Sequence, residues 1–178
     1  MSDTLKRVII LCLAACTSMS YAHAQPKAAG SSYSLCGVGL TYEHYLNRDA
    51  FLHTDLRAEM LAVFMNRENN PGISASLSYN LIFKEWKSRN SNTICLFGGP
   101  GVALGMSHDF RKDMGYFFGL KGRVGVECCF DRHISVSLTL NPVIGSHMVL
   151  KEKHIEMKYY KNGLISTLFP EIGIEYEF

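Results

Sequence analysis

Four ionisable side chains occupy every second position of one short segment: His53, Asp55, Arg57 and Glu59. The residues between them carry no charge, and the same alternation returns with Lys121, Arg123 and Glu127. Residues two apart lie on one face of a β-strand. Each segment therefore predicts a face on which acids and bases stand side by side, opposite an apolar face. Such groups can form ion pairs, and a histidine among them can exchange a proton near neutral pH.

The elements that carry these faces are predicted to be strands, because apolar and polar residues alternate with a period of two. Seven segments show this alternation: 33–46, 50–65, 73–83, 93–106, 115–130, 134–145 and 164–178. A weaker alternation over 153–160 predicts an eighth strand. A surface strand of a soluble protein rarely sets four ionisable groups against an unbroken apolar row. The sequence therefore predicts an all-β fold, a small antiparallel up-and-down transmembrane β-barrel of nominally eight strands with a polar interior.

The number of strands is the least defined part of this prediction. Residues 25–32 have the composition of an unstructured leader, and the Gly-Gly-Pro-Gly run at 98–101 predicts a bulge or kink within its strand. Bacterial single-chain barrels have an even number of strands. Either 153–160 supplies the eighth, or the chain lacks a first strand, or it closes with help from another segment or chain.

The first 24 residues have the pattern of a secretory signal peptide. Lys6 and Arg7 precede an apolar segment over 8–15, and a small-x-small cleavage site ends at Ala24. This pattern predicts an exported protein whose barrel domain spans 25–178. The alternative is lipoprotein processing at Cys16, because Leu-Ala-Ala-Cys over 13–16 resembles a lipobox.

Composition excludes several other classes of protein. The net charge of +2 gives no basic surface for nucleic acid, and no segment after the signal approaches the ~20 apolar residues of a transmembrane helix. No cysteine pair or histidine has the spacing of a metal-binding motif, so we expect no metal and no cofactor. The cysteines after the signal are expected to be free thiols: Cys36, Cys95, Cys128 and Cys129.

Three segments carry a family resemblance: GGPGVALGMSHD, YFFGLKGRVGVECCFDRHISVSLTLNPV and the terminal EIGIEYEF. They resemble the small OmpA-like or porin-like outer-membrane β-barrel domain proteins of Bacteroidota. The resemblance covers 33–178 and implies the fold and an outer-membrane location, but no functional residue. Ile174, Tyr176 and Phe178 resemble the C-terminal signal by which the barrel assembly machinery recognises its substrates. The implied partners are that machinery and outer-membrane lipid.

The predicted function is therefore an integral outer-membrane barrel with a structural, adhesion or minor permeability role and no catalysis. Its charged rows are expected to form a salt-bridged plug, with a gated pore or a proton switch at His53 as the alternative. An outer-membrane lipid-modifying enzyme is a second hypothesis, because Ser107, His108 and Asp109, and likewise Ser146 and His147, supply the residue types of a nucleophile and base. A third is a soluble secreted lipocalin-like barrel, whose apolar rows would face inward.

Overall fold

A computed structural model describes residues 26–64, 71–87, 92–108, 114–130, 133–151 and 154–178. The predicted signal peptide, with Cys16, lies outside the described residues. The strands are β1 (Lys27–Ser34), β2 (Gly37–Asn47), β3 (Ala50–Glu59), β4 (Gly72–Lys87), β5 (Thr93–His108), β6 (Met114–Phe130), β7 (Ile134–Leu140), β8 (Val143–Lys151), β9 (His154–Tyr159) and β10 (Glu171–Glu177).

The described helical segments are short. Helix α1 covers Leu61–Phe64, helix α2 covers Lys161–Ile165, and a single 3₁₀ turn follows over Ser166–Leu168. Among the described helices, none has both the length and the apolar character needed to cross a membrane.

The strands form one closed antiparallel barrel. Strands β1 to β6 pair in chain order, and β10 pairs with both β7 and β1, which closes the ring. The long strand β6 pairs with β8 along its first half and with β7 along its second. Strands β7 and β8 therefore share one wall position, and β9 and β10 share another, with α2 between them. The predicted all-β barrel of eight strand positions is confirmed.

The prediction of an unstructured leader over 25–32 is wrong for most of that segment. Strand β1 begins at Lys27 and pairs with β2 on one side and β10 on the other. The predicted strand 33–46 consequently contains the end of β1, a turn at 35–36 and most of β2. Small residues on both faces of β1 give no alternation to read. The first strand is present in this chain, and its pairing with β10 closes the barrel without another segment or chain.

Other predicted strands also differ in their bounds. The predicted strand 134–145 is divided into β7 and β8 by residues 141–142. The predicted strand 50–65 ends at Glu59, and the predicted strand 164–178 begins only at Glu171, after the helical turns. The segment 98–101 pairs with β6 without a break, but Gly99 and Pro100 are skipped in its pairing with β4. Register shifts occur between Ile82 and Lys84 of β4 and between Tyr45 and Asn47 of β2. The segment 153–160, with its weaker alternation, forms a strand as predicted, since β9 covers 154–159.

The barrel is polar inside and apolar outside. Among the described residues, 23 polar or charged side chains are buried, against 11 hydrophobic ones, while 35 large hydrophobic side chains are exposed. The outward residues Leu56, Leu77 and Val124 are 54%, 46% and 45% exposed, whereas Arg57 and Arg123 are 8% and 4% exposed. This distribution is the reverse of that in a soluble protein, where apolar side chains fill the core.

Candidate functional site

The candidate site is the barrel interior, where polar side chains converge from opposite walls. Glycines on the inward face make room for them. At Gly39 an added Cβ would overlap Oδ1 of Asp55, and at Gly115 it would crowd the ring of His147. An eight-stranded barrel is only wide enough for its side chains to fill. Long charged side chains therefore fit where the facing position has no side chain.

Two groups of charged residues occupy this interior. We call the end at which β1 begins and β10 ends the lower end. The upper cluster consists of Asp55, Arg57, Lys121, Asn141 and Glu171. The lower cluster consists of Glu43, His53, Arg123 and Glu175. Every one of these side chains is at least nine-tenths buried.

In the upper cluster, Arg57 is the central cation. Its guanidinium donates to the Glu171 carboxylate and lies 3.3 Å from Oδ2 of Asp55. Nζ of Lys121 lies 3.9 Å from the same Asp55 oxygen and donates to Oγ of Ser76 at 2.8 Å. Asn141 donates to Glu171 over 3.1 Å. Two cations and two carboxylates thus compensate one another across β3, β6 and β10.

The lower cluster is centred on the Glu43 carboxylate. Its Oε1 accepts a hydrogen bond from Nη1 of Arg123 at 3.0 Å and lies 3.0 Å from Nδ1 of His53. Oε1 of Glu175 lies 4.0 Å from that same His53 nitrogen. The Arg123 guanidinium also stands 4.9 Å from the centre of the Phe97 ring, a cation–π arrangement. These residues come from four different strands: β2, β3, β6 and β10.

The predicted interior residues are placed as follows. His53, Asp55, Arg57, Lys121, Arg123 and Glu127 are buried, and Glu59 is half-buried. The two charged rows meet where Lys121 approaches Asp55. Arg123 pairs instead with Glu43, while Glu59 accepts a hydrogen bond from Ser74 at 2.6 Å. Glu127 forms no ion pair with any described residue.

Sequence reasoning missed three interior carboxylates: Glu43, Glu171 and Glu175. Each was visible on the polar face of a segment with alternation, and Glu171 and Glu175 belong to the terminal EIGIEYEF. The face of Glu43 carries one acidic group, and the face of Glu171 and Glu175 carries three acids with Glu177 and no base, so neither showed acids and bases side by side. Their partners lie on other strands, and only the pairing register brings them together.

A small cavity lies in the upper half of the interior. Its volume is about 40 Å³, and its lining includes Arg57, Lys121, Ser76, Tyr160 and Asn162. A buried water needs about 10–15 Å³ of such space. The cavity therefore has room for a few water molecules among the charged side chains.

The serine and histidine residues considered for catalysis do not form a nucleophile–base pair in the described structure. Nε2 of His147 contacts the backbone oxygen of Ser107 at 2.9 Å, not its hydroxyl. The backbone oxygen of His108 accepts a hydrogen bond from Asn162 at 2.6 Å. Ser146 is half-buried and adjacent to the inward-facing His147. Asp109 lies outside the described residues.

The cysteines after residue 24 are free thiols, as predicted. Cys36 lies in the turn between β1 and β2 and is 1% exposed. Burial, followed by the nearby charge of Glu59, raises the pKa of the Cys36 thiol to about 11. This thiol is therefore protonated, and a poor nucleophile, at neutral pH.

The outward face of β10 carries the terminal aromatic pattern. Ile174, Tyr176 and Phe178 are 49%, 54% and 65% exposed. Tyr176 stacks on the His133 ring, with ring centres 5.7 Å apart.

In comparisons with known proteins, no family model and no curated protein sequence matches this chain.

Proposed function

We propose that this chain is an integral outer-membrane β-barrel protein with a structural role, whose interior is closed by a salt-bridged plug. The observation that carries the proposal is the inverted distribution of polar and apolar side chains. A closed barrel satisfies its backbone hydrogen bonds without water, which is the requirement for crossing hydrocarbon with strands.

The apolar exterior supports a membrane rather than an aqueous environment. Thirty-five large hydrophobic side chains are exposed among the described residues, and they cover the barrel on all sides. Monomeric soluble proteins rarely expose contiguous apolar patches larger than a few hundred Å². A soluble lipocalin-like barrel would instead direct these side chains inward, where this barrel has serines, threonines and charges.

Aromatic residues near both ends of the barrel support the same proposal. Trp86, Phe130 and Tyr176 are exposed toward the lower end, and Tyr33 and Tyr116 toward the upper end. Outer-membrane barrels carry such aromatic girdles where hydrocarbon meets head groups.

The connections between strands suggest which end faces the periplasm. Residues 48–49, 88–92 and 131–133 connect strands at the lower end, and the longest connection, 60–71, lies at the upper end. Outer-membrane barrels have short periplasmic turns and longer outer loops. We therefore assign the lower end to the periplasm. With β1 included, the strand count is even. The longest connection fits this rule, while the upper connections 35–36 and 152–153 are as short as those below.

The closed interior favours a structural role over conduction. Arg57, Lys121 and Arg123 each pair with a carboxylate across the lumen, and the upper cavity holds only a few waters. An ion passing through would have to displace these pairs. We propose that any permeability is minor and that surface functions such as adhesion belong to the outer connections.

The decisive experiment is cell fractionation of the full chain with detergent extraction, followed by gel electrophoresis with and without boiling. We expect recovery in the outer-membrane fraction, solubilisation only by detergent, and a mobility shift on boiling. Mass spectrometry of the same sample locates the processing site: cleavage after Ala24 is expected, and a lipidated Cys16 would assign the lipoprotein route. Recovery in the soluble periplasm without detergent would refute the membrane proposal.

A further inference from the structure

We infer that Glu43, His53 and Glu175 form a binding site for one divalent transition-metal ion, of which Zn²⁺ fits best, in the lower interior of the barrel. These residues lie on β2, β3 and β10 and are 1%, 0% and 4% exposed. One ligand atom from each lies within 4.8 Å of the other two.

The distances fit a single ion. Nδ1 of His53 lies 3.0 Å from Oε1 of Glu43 and 4.0 Å from Oε1 of Glu175. Ligands at about 2.0–2.1 Å from a tetrahedral ion stand about 3.3 Å from one another. The observed distances lie on either side of this value, so side-chain movements of less than about 1 Å would bring all three atoms to one ion.

An unpartnered polar atom points to a missing ligand at the same place. Oε1 of Glu175 is buried and makes no hydrogen bond of ordinary length to a described residue, although the Thr41 hydroxyl lies close enough to act on this carboxylate. Leaving a buried polar atom without a partner is costly. In the neutral imidazole only one nitrogen carries a proton. With that proton on Nε2, Nδ1 has a free lone pair directed between the two carboxylates.

The local charge also calls for a cation. Glu175 interacts electrostatically with Glu43, Glu127 and Arg123. In the lower cluster, Glu43 and Glu175 share the one guanidinium of Arg123, so a bound cation would offset the remaining negative charge when both carboxylates are ionised and His53 is neutral. In the upper cluster, by contrast, two cations, Arg57 and Lys121, pair with Glu171 and Asp55.

Arg123 is the group that competes with the ion. Its Nη1 donates to Oε1 of Glu43 at 3.0 Å, and its positive charge would weaken metal affinity. A carboxylate has about four lone-pair sites, so Glu43 can accept this hydrogen bond and still bind a metal. Hydrogen bonding of a ligating carboxylate by an outer residue is usual in metal sites.

The nature of the ligands selects the ion. One imidazole nitrogen and two carboxylate oxygens suit Zn²⁺ and similar transition metals better than Ca²⁺ or Mg²⁺, which prefer all-oxygen sites. A water molecule would complete a tetrahedron. Acidic side chains continue from the site toward the lower end, since Glu127 interacts electrostatically with both Glu43 and the half-buried Glu177.

The test uses the untagged mature chain in detergent, stripped with a chelator and dialysed against Zn²⁺, with elemental analysis and a chelator competition to measure the dissociation constant. We expect one ion per chain, little displacement by a hundredfold excess of Ca²⁺, and Co²⁺ absorption of the tetrahedral type. Glu175→Gln and His53→Asn should each weaken Zn²⁺ binding by at least about 100-fold, since even outer partners of metal ligands cost 10–100-fold.

His147→Asn is the matched control, because His147 is as deeply buried as His53 but lies outside the three ligands. It should bind Zn²⁺ as the unmodified chain does. The boiling shift on a gel establishes that each variant is folded. The inference is overturned if the folded unmodified chain binds no stoichiometric ion, if Glu175→Gln and His53→Asn bind like the control, or if Ca²⁺ displaces Zn²⁺ readily. These outcomes do not depend on cell fractionation, so failure here is distinct from failure of the membrane proposal.

Discussion

Replacing Arg57 tests whether the interior ion pairs stabilise the barrel. Arg57 is 8% exposed and pairs with both Glu171 and Asp55. Arg57→Met keeps most of the side-chain stem, and among the described residues it leaves the Glu171 carboxylate with the hydrogen bond from Asn141 alone. Asp55 retains Lys121 at 3.9 Å. Removing one partner of a buried ion pair costs about 3–5 kcal/mol, so the free energy of unfolding should fall by that amount.

The interaction free energy between Arg57 and Glu171 is measured by a double-mutant cycle with Glu171→Gln. That single change should cost about 1–3 kcal/mol, because an amide replaces a charged acceptor. The double variant removes the orphaned carboxylate along with the guanidinium. Its cost should therefore be smaller than the sum of the two single costs by about 1–3 kcal/mol.

Trp86 supplies the assay. It is the single tryptophan of the chain, lies on β4 and is 43% exposed. Its fluorescence should change when the barrel leaves lipid vesicles during denaturant unfolding, and far-ultraviolet circular dichroism should report loss of the strands at the same midpoint. Agreement of the two signals supports a two-state analysis.

Arg48→Met is the matched control. The Arg48 side chain is 78% exposed and stands 3.9 Å from Glu85 at the lower end, where a surface pair contributes about 0–1 kcal/mol. If Arg57→Met and Arg48→Met destabilise the barrel equally, or if the cycle shows no coupling between Arg57 and Glu171, the interior ion pairs do not stabilise the barrel.

Three further predictions concern the inner face, the outer face and the upper turn. Gly39→Val should destabilise the barrel by about 1–3 kcal/mol, because the new side chain meets Asp55; denaturant unfolding measures this, with Gly39→Ala expected to cost less. Leu77→Arg should lower the free energy of unfolding in lipid vesicles by about 2–4 kcal/mol if this face meets hydrocarbon. A change within about 0.5 kcal/mol, as on the surface of a soluble protein, would contradict the membrane proposal. In a chain whose other cysteines are replaced by serine, Cys36 should react slowly with iodoacetamide at pH 8, because burial disfavours its thiolate. The rate should rise about tenfold per pH unit up to the thiol pKa of about 11. A rate already at its plateau by pH 9 would contradict this.

A planar-bilayer measurement separates the plug from the gated pore. The unmodified chain should show no regular openings, because its cations are paired across the lumen. Reproducible openings that change on Arg57→Ala would overturn the plug and favour a gated pore.

The strands with the sharpest contrast between their faces were predictable from the sequence. In β4, Ile73 and Leu77 alternate with serines. In the structure these two apolar side chains face outward and the serines face inward. Strand β1 was not predictable in this way, since alanine, glycine and serine occupy both of its faces. Its strand conformation is fixed by pairing with β2 and β10, which is a tertiary effect that local pattern cannot contain.

The lower cluster was unpredictable for a related reason. Glu43, His53 and Glu175 are separated by 10 and more than 100 positions in the chain, so no motif spacing relates them. Glu43 faces His53 because β2 and β3 pair in that register, and Glu175 arrives only when β10 closes the ring on β1. A shift of one residue in either pairing would turn the ligand to the outer face.

The inward glycines and the buried charges are two parts of one solution. An interior filled by side chains leaves space for only a few water molecules, so most charged groups there must meet partners directly. Gly39 leaves the space in which Asp55 reaches toward Arg57 and Lys121, so a residue with no side chain sustains an ion-pair network. At the lower end, Glu127 and Glu175 interact electrostatically with Arg123, the same guanidinium that pairs with Glu43. This difference between the two clusters is why we propose a bound ion at the lower cluster and a salt-bridged plug at the upper cluster.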